Sequence, residues 1–326
     1  MNGTMKIYAL DRPVYDNGGL QHVQQALRGE QNTPANYTFS SFDGTSIVYH
    51  VCGYGPILLV ATCPGWGGGL NYIPEAFLPL TQSGKLTLVV IQTRGTLPSK
   101  RPIDERLMGS RHMAADINSL RQHLRQDAIN IFGHSNGAAI ALGYAELFPQ
   151  HCKRAILVST QLLGYINHAT TALDVVTKLQ KDPRFRYAAN QFMARIHSLP
   201  ETDEEFSIWK SSIIPLYFYN PAKSQEYANT VGRALIQTWA YFQQDEADRL
   251  PEASMLRDLN KVTATALIIT GANDFICGPP ASNVVAEALG DKARHVIYHE
   301  CGHMPWIERK EAFFTDILEF LQSELI

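Results

Sequence analysis

Short, almost entirely apolar runs, separated by longer segments of helical periodicity, constrain the fold of this chain more than any other feature. Runs such as Ile57–Ala61 (ILLVA) and Ala266–Thr270 (ALIIT) show no regular alternation of polar and apolar positions. Strands that are buried on both faces, as in a parallel sheet covered by helices, have this pattern. We predict seven strands on this basis: Ser46–Val51, Ile57–Ala61, Thr87–Ile91, Ile129–Phe132, Ala155–Val158, Ala266–Thr270 and Arg294–Tyr298.

Several segments between and after these runs have the apolar spacing of amphipathic helices. Near the end of the chain, for example, Phe313, Ile317 and Phe320 fall on one helical face. Alternating strands and helices predict an α/β fold, with an open, mostly parallel sheet flanked by helices. The predicted helices are Met113–Arg125, Asn136–Phe148, Ala281–Ala288 and Lys310–Leu325.

The alternation of strands and helices stops after Ser159 and resumes near Val262. The segment between them is helical in character, as expected for an insertion into the α/β core. A length of 326 residues fits one large domain that carries such an insertion. We therefore divide the chain into a first core part (1–160), a helical insertion (161–261) and a last core part (262–326).

Composition excludes several classes of protein. The 28 basic and 31 acidic side chains nearly balance, and without a basic block the chain has no electrostatic footprint for nucleic acid. No apolar run approaches the ~18 residues that span a bilayer, and the first ten residues lack the pattern of a secretory signal. Five scattered cysteines do not suggest a disulfide framework. We expect a soluble, cytoplasmic protein with a small-molecule partner; the oligomeric state is not indicated.

The segment Gly133-His134-Ser135-Asn136-Gly137 lies between a predicted strand and a predicted helix of small residues. This is the G-x-S-x-G arrangement that holds a nucleophilic serine on a tight strand-to-helix turn. Because strand and helix pass closely there, the positions two before and two after the serine must be small. The backbone N–H of Asn136 then points toward a developing oxyanion. We predict that Ser135 is a nucleophile.

A serine hydroxyl is a poor nucleophile near neutral pH and needs a base, which in turn needs an orienting acid. In this context the chain order is serine, acid, histidine. Asp274 follows the predicted strand Ala266–Thr270, and His303 follows the last predicted strand. The carboxyl ends of adjacent parallel strands meet in one crevice, so we predict that His303 takes the Ser135 proton and Asp274 orients His303.

The histidine segment HECGH, which ends at His303, also matches the zinc-binding pattern H-E-x-x-H. That pattern requires both histidines on one face of a helix, and Gly302 and the nearby Pro305 disfavour a helix here. We therefore predict no metal and no cofactor, with His299 at the surface or beside the site.

The glycine-rich loop TCPGWGGG (62–69) directly follows the predicted strand Ile57–Ala61. A loop in this place supplies the second oxyanion donor in strand–turn–helix hydrolases. Pro64 has no N–H, so the donor is Gly65 or Trp66, and we favour Trp66. Cys63 is interpreted as a small buried residue.

Together these residues resemble the α/β-hydrolase superfamily, and the loops resemble its proline iminopeptidase-like branch. The resemblance covers about Thr38–Val158 and Val262–Leu325. Gly65 stands in the position of the branch's H-G-G-P-G-G loop, Arg94-Gly95 resembles its D-Q-R-G segment, and GHMPW (302–306) resembles the histidine loop. The resemblance implies that the insertion is a helical cap.

The chain departs from that branch where peptidase specificity is concerned. Cys63 or Pro64 replaces the loop histidine, although the Ser-Asp-His order is intact. Peptidases of the branch bind the substrate's amino terminus with acidic cap residues. The dense acidic cluster here (Glu201, Asp203, Glu204 and Glu205) includes a capping-box spacing between Thr202 and Glu205, so we interpret it as a helix start.

Aromatic residues are concentrated in the insertion, with twelve of the chain's 32 lying between Phe185 and Phe242. Some would form the insertion's own core; Trp209, Tyr217 and Phe218 are our candidates for an apolar substrate pocket. The sequence predicts a serine hydrolase for a small, largely apolar ester, lactone or thioester. One alternative is an aminopeptidase that releases N-terminal proline. Another is a hydrolase fold recruited as a ligand-binding protein or a non-hydrolytic cyclase or lyase.

Overall fold

The apolar runs form the strands of one eight-stranded sheet. The computed structural model describes residues 18–66, 69–196, 198–231 and 236–323. The first ten residues, which we considered for a secretory signal, lie outside the described residues. In chain order the strands are β1 (Ala35–Ser40), β2 (Ser46–Tyr54), β3 (Ile57–Thr62), β4 (Leu86–Ile91), β5 (Ile129–His134), β6 (Cys152–Val158), β7 (Thr265–Gly271) and β8 (Ala293–Tyr298). Across the sheet their order is β1-β2-β4-β3-β5-β6-β7-β8. The pairs β1–β2 and β2–β4 are antiparallel, and the other neighbouring pairs are parallel.

Helices connect and cover the strands. All seven predicted strands and the four predicted helices are present, which confirms the α/β fold with a mostly parallel sheet. The end of the last predicted helix, 324–325, lies outside the described residues. The helices are α1 (Gly18–Leu27), α2 (Gly69–Ala76), α3 (Leu78–Thr81), α4 (Ser110–His123), α5 (Asn136–Leu147), α6 (Asn167–Leu179), α7 (Arg186–Met193), α8 (Asp203–Ile213), α9 (Ser224–Val231), α10 (Thr238–Asp248), α11 (Pro279–Leu289), α12 (Pro305–Glu308) and α13 (Lys310–Gln322).

Strand β1 and helix α1 were not predicted. The β1 sequence, ANYTFS, has no continuous apolar run because the strand lies at the sheet edge and pairs only with β2. Its first three residues are only partly buried. A strand with one neighbour and one partly open face does not need to be apolar throughout, and our strand prediction depended on continuous apolar runs.

Two apolar layers hold the sheet, one on each face. Successive side chains of a strand point to opposite faces. In β4, Leu88 and Val90 therefore join the layer that contains α2 and α13, whereas Val89 and Ile91 join the layer that contains α4 and α5. Because both faces are covered, almost every position of the central strands is apolar.

The segment between β6 and β7 contains α6 to α10. It lies against the loops at the carboxyl ends of the strands: the N–H of Gln237 donates to the carbonyl of Trp66 (3.1 Å), and the N–H of His303 donates to the carbonyl of Tyr217 (2.7 Å). Within the described part of the chain, no helix has both the length and the apolar character needed to cross a membrane.

Candidate active site

Ser135 occupies a sharp turn between β5 and α5. Its φ of 58° and ψ of −120° lie in a region that residues other than glycine rarely adopt. A Cβ atom on Gly133 would lie 2.2 Å from the carbonyl oxygen of Gly137, and one on Gly137 would lie 2.6 Å from that of Thr62. The N–H of Ser135 donates to the carbonyl of Val158 (2.9 Å). The two glycines are therefore required for the turn to close, as the sequence motif predicts.

Asp274 and His303 meet at the carboxyl ends of β7 and β8. His303 Nδ1 lies 2.7 Å from Asp274 Oδ2, and both side chains are buried. The other oxygen, Asp274 Oδ1, accepts hydrogen bonds from the N–H groups of Ile276 and Cys277, each at 3.0 Å. Burial alone would raise the pKa of Asp274, but His303 and these two N–H groups outweigh it and hold the pKa below its usual value. The carboxylate is thus charged and fixed on the imidazole.

The Ser135 side chain lies beside the Cys277 thiol, whose pKa burial raises well above the ordinary value. Among the described residues, Ser135 Oγ and His303 Nε2 share no hydrogen bond. Catalytic hydrogen bonds of unliganded enzymes often shorten only when the substrate binds. Asp274 and His303 are therefore in direct contact, whereas Ser135 is connected to this pair only through neighbouring residues.

His134 is the neighbour that ties the serine turn to the histidine loop. Its Nε2 lies 2.9 Å from the carbonyl oxygen of His303, and its Nδ1 lies 3.3 Å from the Tyr72 hydroxyl. Its ring is 4.5 Å from the His303 ring and 4.6 Å from that of Trp306. Burial is the main cause of a pKa well below the usual value, so His134 is neutral. This role of His134 could not be predicted, because the motif leaves that position unspecified.

The glycine-rich loop is joined to the serine turn by the side chain of Asn136. Its Oδ1 accepts hydrogen bonds from the N–H of Gly65 and from Gln244 Nε2, both at 2.9 Å, and its Nδ2 donates to Gln161 Oε1 at 3.0 Å. Of the two donors that the sequence leaves open, Gly65 and Trp66, the Gly65 N–H is therefore bonded to the Asn136 side chain in this arrangement. Gly67 and Gly68 lie outside the described residues.

Gln244, on α10, extends this network away from the turn. Its Nε2 also lies 3.0 Å from Ser110 Oγ, which donates to Asp248 Oδ2 at 2.6 Å. Burial raises the pKa of Asp248 to about 6. A Cβ atom on Gly65 would lie 2.1 Å from Gln244 Oε1, so a larger residue there would displace the Gln244 side chain from this network. Gln244 was not predicted, because the sequence of the insertion contains no pattern that relates a residue of α10 to the serine turn.

The three predicted pocket residues occupy different surroundings. Tyr217 lies beside the candidate base, with its ring 5.2 Å from the His303 ring. Trp209 donates from Nε1 to the carbonyl of Gln191 (3.0 Å) and packs within the insertion. Phe218 is buried, with its ring 6.3 Å from that of Tyr227. Of the three, Tyr217 is the one whose ring contacts a candidate catalytic side chain.

Glu308 anchors the histidine loop to the insertion. Its carboxylate accepts hydrogen bonds from the N–H of Gly302 (2.6 Å), of Tyr219 (3.2 Å) and of Asn220 (2.9 Å). The HECGH segment is a turn rather than a helix, so His299, which is exposed, does not share a helical face with His303. Among the residues the structure describes, no group of three or more side chains is arranged to hold a metal ion.

Arg94, from the loop after β4, is part of the scaffold behind the site. It is fully buried, and its guanidinium bonds Asp116 (2.5 and 2.7 Å) and Asp43 (2.8 Å). Burial opposes its charge, but the two carboxylates outweigh that effect and raise its pKa. All five cysteines, including Cys63, are buried and form no disulfide, and burial raises the pKa of the Cys63 thiol.

Comparison with known proteins agrees with this architecture. The family model described as alpha/beta hydrolase fold matches residues 58–310. The proline iminopeptidase PfmaB of Pestalotiopsis fici is 24% identical over 293 residues, covering 87% of this chain and 99% of that protein. An α/β fold family hydrolase from Bacillus anthracis has a TM-score of 0.69 at 18% identity, covering 88% of this chain and 99% of that one. An esterase from Exiguobacterium antarcticum has a TM-score of 0.63 at 18% identity with the same coverage. At such identities the solved structures show a shared fold.

Proposed function

Because this chain belongs to the α/β-hydrolase family, we propose that it is a serine hydrolase in which Ser135, His303 and Asp274 transfer an acyl group to water. The observation that carries this proposal is the 2.7 Å contact between His303 Nδ1 and Asp274 Oδ2, at the strand ends next to the strained Ser135 turn. A strained nucleophile turn beside a buried histidine–carboxylate pair is the arrangement that serine acyl transfer needs.

The steps follow from the atoms. Ser135 Oγ forms a bond to the substrate carbonyl carbon while His303 Nε2 accepts the hydroxyl proton. Asp274 holds the other ring proton on Nδ1, so that Nε2 is free to act as base, and it stabilises the imidazolium. As the tetrahedral intermediate collapses, the leaving oxygen receives that proton. Water then attacks the acyl-enzyme with His303 again as base, which releases the acid and restores Ser135.

We assign the oxyanion site to the N–H groups of Trp66 and Asn136. Of the two candidate donors in the loop, the Gly65 N–H is bonded to the Asn136 side chain, whereas the Trp66 N–H has no bond to another described residue. Fixed donors of this kind are worth about 3–4 kcal/mol each toward the transition state. The hydrogen bond from Gln237 to the Trp66 carbonyl holds the same peptide segment from the insertion side.

Substrates of the ester type fit the insertion better than peptides with a free amino terminus. The acidic cluster that a peptidase would require is exposed. Thr202 Oγ1 accepts a hydrogen bond from the N–H of Glu205 (3.2 Å), and Asp203 Oδ1 accepts one from the N–H of Thr238 (2.8 Å). These residues thus cap α8 and α10, which supports a structural role.

We further propose that the insertion, residues 161–261, acts as a cap that forms an apolar wall over the triad. Tyr217 provides the part of that wall nearest to His303, and its ring packs at 5.1 Å on the ring of Phe275. An aromatic wall of this kind suits a small, largely apolar acyl group. Trp209 and Phe218 then support the wall from behind.

A fluorophosphonate probe tests the proposal directly. We expect the probe to label the wild type and Ser211→Ala, an exposed-serine control, but not Ser135→Ala. A panel of uncharged 4-nitrophenyl esters and prolyl 4-nitroanilide then separates the two substrate classes. A folded wild type that stays unlabelled, or labelling that persists in Ser135→Ala, would refute the assignment of the nucleophile. Turnover of the prolyl amide alone would establish the aminopeptidase.

A further inference from the structure

A lysine of the insertion lies in the aromatic wall beside the catalytic groups. Lys210, on α8, donates a hydrogen bond from Nζ to the Tyr217 hydroxyl. The same Nζ lies 4.1 Å from the centre of the Tyr217 ring and 5.4 Å from that of the Trp66 ring. Both rings belong to residues that we place in the site, one next to the candidate base and one in the oxyanion loop. The ammonium therefore belongs to the wall that we propose over the triad.

The charge of Lys210 acts on the groups around the nucleophile. It favours the thiolate form of Cys277, which lies beside Ser135, and it disfavours protonation of His134, the residue before Ser135. The Tyr217 ring that Nζ contacts lies 5.2 Å from the His303 ring, so the ammonium is close to the proposed base.

This cation has no counter-ion in the described part of the chain. Two other lysines of the insertion are paired, Lys223 with Glu226 (2.9 Å) and Lys261 with Asp258 (2.8 Å). Lys210 is mostly buried, makes no ion pair with a described carboxylate, and uses one of its three N–H donors on Tyr217. Two aromatic faces compensate only part of the cost of burying a cation.

We propose that Lys210 binds a carboxylate group of the substrate, so that the ester on which this hydrolase acts is an anion at neutral pH. The inference rests on the proposed hydrolase function. A carboxylate would supply the missing counter-ion and accept the two remaining N–H donors. A substrate with a protonated amine would instead place a like charge against the ammonium, which disfavours the aminopeptidase alternative.

The groups around Lys210 keep one charge state near neutral pH. Burial raises the pKa of Cys277 and Tyr217 well above their ordinary values and that of Tyr241 to about 12, and it lowers the pKa of His134. Burial also lowers the pKa of Lys210 itself, to about 7. Of these groups, Lys210 is therefore the one that titrates in the neutral range.

Matched ester pairs test the proposal. One pair carries the charge on the acyl side (mono-4-nitrophenyl glutarate and its methyl ester), and the other on the leaving group (butyrate esters of 4-hydroxybenzoate and of methyl 4-hydroxybenzoate). We expect the wild type to prefer the carboxylate member of one pair by about tenfold to hundredfold in kcat/KM, the usual effect of a charged hydrogen bond. Lys210→Met should reduce that ratio at least tenfold, whereas the exposed-lysine control Lys178→Met should retain it.

Absence of the preference from both pairs in the wild type, or its persistence in Lys210→Met, would overturn the proposal. A binding measurement separates this outcome from failure of the hydrolase function. Calorimetric titration of mono-4-nitrophenyl glutarate into Ser135→Ala and into Ser135→Ala/Lys210→Met reads the anion site without turnover. Probe labelling without any carboxylate preference refutes the role of Lys210 alone. Carboxylate binding that depends on Lys210 in an unlabelled wild type supports the anion site and refutes the hydrolase.

Discussion

Replacement of Asn136 by alanine tests how the oxyanion site is held together. The substitution keeps the backbone N–H that we assign as a donor but removes the three hydrogen bonds of the side chain, to Gly65, Gln244 and Gln161. Gly65 and Gln244 then keep unpaired N–H donors at buried positions. The loop that carries the Trp66 N–H loses its direct link to the serine turn, so its donor is no longer fixed on the developing oxyanion.

The magnitudes follow from the number and type of contacts. Three hydrogen bonds at about 0.5–1.5 kcal/mol each predict a loss of about 1.5–4.5 kcal/mol in the free energy of unfolding. Outright removal of one oxyanion donor costs about 10²–10³ in kcat, so a donor that is displaced rather than deleted should cost about 10–100-fold. We expect KM for an uncharged ester to change much less, because the side chain does not face the acyl group.

The assay combines steady-state kinetics on an uncharged 4-nitrophenyl ester with chemical denaturation. Gln161→Ala is the matched control: it removes only the outer bond to Asn136 Nδ2 and leaves the bond between Gly65 and Asn136 in place. We expect Gln161→Ala to keep kcat within about threefold of wild type. If Asn136→Ala loses stability while kcat stays within twofold of the control, the side chain does not position the oxyanion donors and the reasoning is refuted.

Three further outcomes are expected. Asp274→Asn should lower kcat by about 10⁴ with little change in KM, because an amide no longer holds the reactive tautomer of His303; a loss below tenfold would contradict the triad. The carboxylate preference should be strongest below pH 7 and decline as pH rises above it, because the ammonium of Lys210 loses its proton there; a ratio flat from pH 6 to 9 would contradict this. Asp116→Ala should cost about 3 kcal/mol or more in denaturant unfolding, because it leaves Arg94 buried with only part of its charge compensated; a loss below 1 kcal/mol would show that the network relaxes.

Local patterns in the sequence predicted the core of the fold and the residues at the strand ends. The central strands are apolar because both faces are covered, so ILLVA, LTLVVI and ALIIT could be assigned without knowing their partners. The glycines around Ser135 could be assigned because a Cβ atom there meets backbone. Asp274 and His303 could be assigned from the chain order and from their places after the last two predicted strands. In each case the physical requirement concerns a short stretch of the chain, so it can be recognised from the residues of that stretch.

Contacts between distant segments cannot be recognised from local sequence patterns. Gln244 reaches Asn136 from 108 positions along the chain, and Lys210 faces the oxyanion loop from a different helix of the insertion. Sequence periodicity assigns both residues only to helices. The choice between Gly65 and Trp66 as donor could not be made from the sequence for the same reason, because it depends on which N–H is bonded to the Asn136 side chain.

The hydrogen bonds of the insertion bear on how it covers the site. Three of the four loops that carry proposed catalytic groups are bonded to it: the oxyanion loop through Gln237, the serine turn through Gln244 and the histidine loop through the carbonyl of Tyr217. Lifting the whole insertion as a rigid body would break all three contacts and release the oxyanion donors and the base together. Substrate entry that preserves a working site must therefore move only part of the insertion, with α10 and the residues around Tyr217 staying in place. The insertion that we propose as a cap would therefore support the proposed catalytic loops as well as cover the substrate.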